Sequence, residues 1–391
     1  MDVKERVAAL QPELVRLRRH FHEKPERSWE EFQTQKAIES YLDALGIPYV
    51  ESCKSGVIAT LKGPHASDRI IGIRADIDAL PITELGDPAY KSQNPGTMHA
   101  CGHDTHITIL LGAAKVLAAM KDQLTVTVRF LFQPAEEEIA NSGAAYMKEE
   151  SLVKECDRLI ALHIWSKIPA GWASLRYGPV MSAADTFDVT VEGRGGHGAL
   201  PHQTVDPIVA GAEFVTALQT VVSREVNPLE PAVLSITQFQ GGTTSNVIPG
   251  EAHLAGTART FSKELRDAYP GILERVAQGV STATRAKLRT VYHFGPPPMI
   301  NDKACVDTGR KACAKVFAPD KLVDWELQMG GEDFAKYSNP KCLLLLGGGF
   351  ADEDRRYPQH SPYFDIDEKA LGLGVEYFVQ YVLEWEKELK K

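Results

Sequence analysis

"TFDVTVEGR" (residues 186–194) alternates apolar and polar side chains with the period of a strand that has one buried and one wet face. The strands predicted upstream are of another kind. "GVIATLKG" (56–63), "RIIGIRAD" (69–76), "LTVTVRFLF" (124–132) and "RLIALHIW" (158–165) are nearly unbroken runs of β-branched and other apolar residues, as strands covered on both sides are. Helical spacing recurs between and before them, in "VAALQPELVRLRRHFHE" (7–23), "TQKAIESYLDALG" (34–46) and "ITILLGAAKVLAAM" (107–120). The upstream part therefore predicts an α/β domain, a layered sheet with helices on both faces.

Downstream of residue 186 the order changes. A helix at 206–225, strands at 232–240 and 251–260, a helix at 262–286 and a strand at 287–294 give β-α-β-β-α-β, the order of a split βαβ, ferredoxin-like α+β sandwich. "GPPPM" (295–299) can continue neither a strand nor a helix and suits a boundary. After it a buried strand, "CLLLLGGG" (342–349), and a closing helix, "GLGVEYFVQYVLEWEKEL" (372–389), return to the first pattern. The expectation is a large discontinuous domain of residues 1–180 and 295–391, with a smaller domain of residues 181–294 inserted into it.

The composition narrows the function. A net charge of −9 on 391 residues, both signs mixed, provides no basic stripe for a polyanion, so nucleic acid is not an expected partner. No apolar run approaches the roughly 20 residues of a membrane span, and "MDVKERVAAL" is too charged for a signal-peptide core. Six scattered cysteines form neither a CxxC pair nor a dense framework. Reduced thiols and no membrane contact read as a cytoplasmic protein.

Four polar stretches stand at or beyond predicted strand ends. "MHACGHDTH" (98–106) lies between the turn-forming "NPGT" and an apolar helix; "QPAEEE" (133–138) follows a buried strand; His163 closes "RLIALHIW"; and His360 sits in "RRYPQHSPYFDIDE" (355–368). Taken singly each has a plain explanation: Asp104 capping a helix above solvated histidines, an acidic loop, a satisfied core histidine. Taken together, thiolate, imidazole and carboxylate are the donors of zinc and related divalent ions. They gather where open α/β sheets collect their ligands. Adjacent glutamates also permit a division of labour, one on a metal and the other acting on water as general base.

"RADIDALP", "MHACGHDTH", "QPAEE", "GRGGHGALPH", "SNVIPG" and "GTART" occur here in the order seen in the M20 metallopeptidase family, and the chain resembles its amidohydrolase branch over nearly its whole length. That branch holds hippurate hydrolases, N-acyl-amino-acid deacylases, N-acetyldiaminopimelate deacetylases and plant auxin-conjugate hydrolases. The resemblance implies a metallohydrolase domain with an inserted lid and dimerisation domain. It implies that Cys101, His103, Glu137, His163 and His360 hold two divalent ions, zinc, manganese or cobalt, with Cys101 bridging where other branches have an aspartate. Glu136 then matches the general base, and Asp78 an aspartate that orients one ligand. In the inserted domain, His197 matches a residue that stabilises the oxyanion, while Asn246 and Arg259 match residues that hold the substrate carboxylate; the planar fork of arginine suits that task.

Two cations about 3.5–4 Å apart lower the pKa of a water between them and polarise a scissile amide carbonyl. A coordinated Cys101 is a thiolate ligand rather than a nucleophile. The expected activity is hydrolysis of N-acyl-L-amino acids, with a di- or carboxypeptidase as the rival enzyme and a non-catalytic metal- or ligand-binding protein as the rival class. Binding alone does not require Glu136, which argues against the last. A symmetric homodimer through residues 181–294 is also expected. One departure from the branch is the longer acidic link "EIANSGAAYM" (138–147) after "QPAEE", which bears on substrate preference.

Overall fold

The computed structural model describes residues 2–390. In chain order its principal elements are α1 (Val3–Glu23), α2 (Phe32–Leu45), β1 (Tyr49–Ser52), β2 (Gly56–Lys62), β3 (Ile70–Asp76), α3 (His103–Ala118), β4 (Thr127–Gln133) and β5 (Arg158–Pro169). There follow β6 (Asp185–Glu192), α4 (Pro207–Thr220), β7 (Ala232–Gly241), β8 (Glu251–Thr260), α5 (Lys263–Thr284) and β9 (Lys287–His293), then α6 (Lys303–Val316), β10 (Lys341–Gly349) and α7 (Ala370–Leu389). Contacts divide the chain into two compact units, Met1–Val180 with Ile300–Glu326 and Lys336–Lys391, and Met181–Met299 with Leu327–Ala335.

The first unit is built on a mixed sheet in the order β1-β2-β4-β3-β5-β10, closed at one edge by Ala173–Ser174. β3, β4, β5 and β10 run parallel, so their C-terminal ends share one edge. The apolar runs of the sequence explain their position, because β4 is buried at every residue and β10 at all but its first. α3 is apolar from Ile107 to Leu117 and buried almost throughout, with α1 and α7 packed against it. An amphipathic helix needs one covered face, whereas α3 is covered on all sides. A buried α3 fixes its N-terminus, and that end carries His103.

The second unit is an antiparallel sheet in the order β7-β8-β6-β9, with α4 and α5 packed together. The alternation of residues 186–194 is realised directly: Phe187, Val189 and Val191 point into a core shared with Phe214, Leu254, Tyr269 and Leu273. Asp185 is buried as well, and Arg266 grips its two oxygens at 2.8 Å each. Among the described residues no cysteine is in a disulfide, and no helix is long and apolar enough to cross a membrane.

Candidate metal centre

The parallel edge of the large sheet delivers the donors. β3 ends at Asp76, with Asp78 two residues on; β4 ends at Gln133, just before Glu136 and Glu137; and β5 carries His163. α3 starts at His103, two residues after Cys101, and the backbone N–H of His360 donates to the carbonyl of Ala100 at 2.8 Å, tying the late loop to that segment. His163 differs from expectation in its setting. It lies inside β5 rather than at its end, because β10 pairs onward as far as Pro169.

Two of the donor groups so formed, each with its atoms within 4.8 Å of one another, contain a cysteine: Cys101, His103 and His163 in one, and Cys101, Glu137 and His360 in the other. Cys101 belongs to both. Its Sγ is 3.4 Å from His163 Nε2, while Glu137 Oε1 is 3.4 Å from His360 Nε2 and 3.9 Å from His103 Nε2. His103, Glu136 and Glu137 form a further group. The structure thus brings together all the residues of the large domain that the sequence singled out.

Hydrogen bonds behind the donors fix the imidazoles. His103 Nδ1 donates to the Asp78 carbonyl at 2.9 Å, with Asp78 Oδ1 at 3.2 Å, which turns Nε2 toward the other donors. His163 Nδ1 donates to the carbonyl of Ile164 at 2.8 Å, which leaves its Nε2 lone pair directed at Cys101. Burial, followed by His106 and His103 nearby, holds His163 well below the usual histidine range, so it stays neutral. Burial, with the Glu137 carboxylate next, pushes the bare Cys101 thiol well up.

Do these residues suit a cation? His103 Nε2 and Glu137 Oε1 are both buried and neither has a hydrogen-bond partner. Orphaned buried polar atoms are costly and call for an explanation. With Nδ1 spent on Asp78, His103 Nε2 and Glu137 Oε1 face one another at 3.9 Å, too far apart for a hydrogen bond, and a cation between them satisfies both. The donor set is that of zinc and its neighbours.

The chemistry of the second unit stands on its own. His197 pairs with Val247 on a two-stranded ribbon, the Gly198 N–H donates to the Asn246 carbonyl at 2.9 Å, and both His197 and Asn246 are exposed. Arg259 is half-buried on β8, with its guanidinium on the carbonyls of Asp185 at 3.2 Å and Ala258 at 3.0 Å, and among the described residues it makes no ion pair. Burial lowers its pKa, only partly offset by Asp185, whose carboxylate Arg266 already holds.

Peptidase family M20/M25/M40 matches residues 72–384. The chain belongs to that family. Its M20 relatives include the N-acyl-L-amino acid amidohydrolase of Geobacillus stearothermophilus, 42% identical over 77% of this chain and 81% of the relative. They also include thermostable carboxypeptidase 2 of Saccharolobus solfataricus, 34% identical over 95% of this chain and 94% of the relative. Among solved structures, the YXEP protein of Bacillus subtilis, described as a dinuclear metal binding peptidase from the M20 family, superimposes with a TM-score of 0.84 at 35% identity, covering 96% of this chain and 98% of that one. The chain is accordingly a metal-dependent amidohydrolase of the M20 family with the mixed α/β fold expected.

The plain reading of "MHACGHDTH" does not hold. His103, Asp104 and His106 are all buried, and Asp104 turns to Arg18 at 2.9 Å and His22 at 2.8 Å instead of solvent. Sequence reasoning also passed over His106. The Ile164 N–H donates to its Nε2 at 2.8 Å, so its Nδ1 proton goes to Asp76, and the ring connects the strand of His163 to the end of β3. Its spacing of three residues from His103 on one helix face was the available signal.

Proposed function

We propose that this M20 enzyme hydrolyses the amide bond of N-acyl-L-amino acids, N-acetyl or N-benzoyl derivatives among them, releasing a carboxylate and the free amino acid. Cys101, His103 and His163 would hold one divalent ion, and Cys101, Glu137 and His360 the other. The supporting observation is that Cys101 belongs to both donor groups while the buried His103 Nε2 and Glu137 Oε1 have no hydrogen-bond partner. Zinc, manganese and cobalt all suit these donors. When bound, such a pair supplies an acidified water and a polarised scissile carbonyl.

The protein's own groups do the rest. Glu136 is adjacent to a ligand and within the same donor cluster, so its carboxylate takes the proton of the attacking water and later returns it to the leaving nitrogen. Arg259, with no carboxylate of its own, accepts the carboxylate of the amino-acid product, assisted by Asn246, and His197 stabilises the oxyanion. The domain of residues 181–294 serves as lid and as the contact of a homodimer.

Glu136→Gln tests the assignment. The variant is expected to keep the wild-type metal content, read by elemental analysis, while turnover falls on the order of 10²–10⁴-fold. Loss of metal together with activity makes Glu136 a ligand instead. The carboxypeptidase relative keeps peptides in view as substrates. Acetylated amino acids and dipeptides compared in one assay, on apoenzyme reloaded with each metal in turn, decide between them.

A further inference from the structure

The turn that presents Glu136 is held in an unfavourable backbone conformation by a carboxylate that the hydrolysis does not use. Ala135 sits at φ +50°, in the left-handed region that a residue with a Cβ rarely adopts. Its N–H donates to Glu31 Oε1 at 2.8 Å, and its carbonyl accepts from the Gly143 N–H at 3.0 Å. Glu31 is wholly buried, and its other oxygen accepts from Ser55 Oγ at 2.6 Å. It stands at the N-cap of α2 yet makes no side-chain capping bond there. The carboxylate is spent on Ala135 and Ser55 rather than on its own helix.

The far side of Glu136 is held in the same way. The Glu137 N–H donates to Asp78 Oδ2 at 3.0 Å, and Ser28 Oγ donates to that same oxygen at 2.7 Å. Two buried carboxylates therefore hold the peptide N–H groups on either side of Glu136. Asp78 belongs to the ligand scaffold through His103, whereas Glu31 touches no ligand and no reacting atom. We infer that Glu31 is a positioning residue for Glu136, locking the left-handed turn at Ala135 so that the base points at its water. This rests on Glu136 being the base.

The experiment uses the metal-loaded enzyme and an N-acetyl-L-amino acid. Glu31→Gln retains an acceptor for Ala135 and a polar group for Ser55, so its kcat is expected within about threefold of wild type. Glu31→Ala removes the acceptor, and Glu31→Asp withdraws it by one methylene while preserving the charge and, where the alanine variant does not fold, the polar interior. Each is expected to lose about 10–100-fold in kcat with KM changed less than about threefold, since small displacements of a catalytic group are costly. Glycine adopts the left-handed conformation freely, so adding Ala135→Gly to Glu31→Asp is expected to recover several-fold in kcat.

Wild-type kcat in Glu31→Asp overturns the inference, as does equal loss in the glutamine and aspartate variants, or a loss that tracks metal content and is untouched by Ala135→Gly. Glu136→Gln assayed alongside separates the two readings. Inactivity there with full activity in Glu31→Asp removes the Glu31 assignment alone. Full activity in Glu136→Gln removes the base on which it rests.

Discussion

Glu31 also shows how burial sets the behaviour of a single residue. Burial, and the Asp78 carboxylate next, push its pKa from 4.5 up to about 7, against the opposing bonds from Ser55 and Ala135. Below pH 4.5 both folded and unfolded chains carry the proton, so the site is neutral in its effect. Between 4.5 and 7 the unfolded chain releases the proton and the folded chain retains it, so stability falls as pH rises; above 7 the loss is constant. Glu31→Gln removes that slope. Urea unfolding of the two enzymes is expected to give equal stability below about pH 4 and an advantage for the variant on the order of 3 kcal/mol above pH 7. A pH-independent difference sinks this account. None of it is legible in "PERSWEEF", where Glu31 looks like one more charge in an acidic stretch. The residues proposed as metal donors stood out because their types are diagnostic, while a supporting carboxylate acquires its role only from the turn that the fold lays against it.

At the scale of elements, the first turn of α3 is anchored by α1. Arg18 is fully buried, 2.9 Å from Asp104 and 2.8 Å from Asp365, and His22 one turn later is 2.8 Å from the same Asp104. One cation thus ties the residue beside His103 to the loop that follows His360. The helical spacing of residues 7–23 was read correctly, but charged positions in such a helix are ordinarily placed toward water. The signal was finer: Arg18 continues the stripe Val7, Leu10, Leu14 and is followed by Phe21, all of them buried. Removing one partner of a buried pair leaves the other charge uncompensated. Arg18→Met is therefore expected to lose about 3–5 kcal/mol in urea unfolding, and adding Asp104→Asn to recover a large part of it. A loss below 1 kcal/mol in Arg18→Met, or no recovery in the double variant, means that the helices hold their places by apolar packing alone.

At the scale of the molecule, the β-α-β-β-α-β order was legible because strand and helix periods differ sharply over residues 186–294. The grouping of Leu327–Ala335 with the second unit was not, since a segment without periodic pattern carries no mark of what it folds against. Assembly is where the proposed roles of the two units can be tested together. His197 and Asn246 are exposed on the second unit's ribbon, and Glu136 belongs to the first. If the proposed dimer places His197 of one protomer at the site of its partner, each site draws on two chains. Glu136→Ala and His197→Ala homodimers are then each nearly inactive. Mixing them under subunit exchange makes about half the dimers mixed, and in each of these both lesions fall in one site, leaving the other with wild-type Glu136 from one chain and wild-type His197 from the other. Activity is expected to recover to roughly a quarter of wild type, because half the dimers then carry one working site of two. No recovery, with exchange verified by mass-tagged subunits, places His197 in its own chain's site or outside catalysis. A chain that stays monomeric at assay concentration refutes the shared site before any mixing is done.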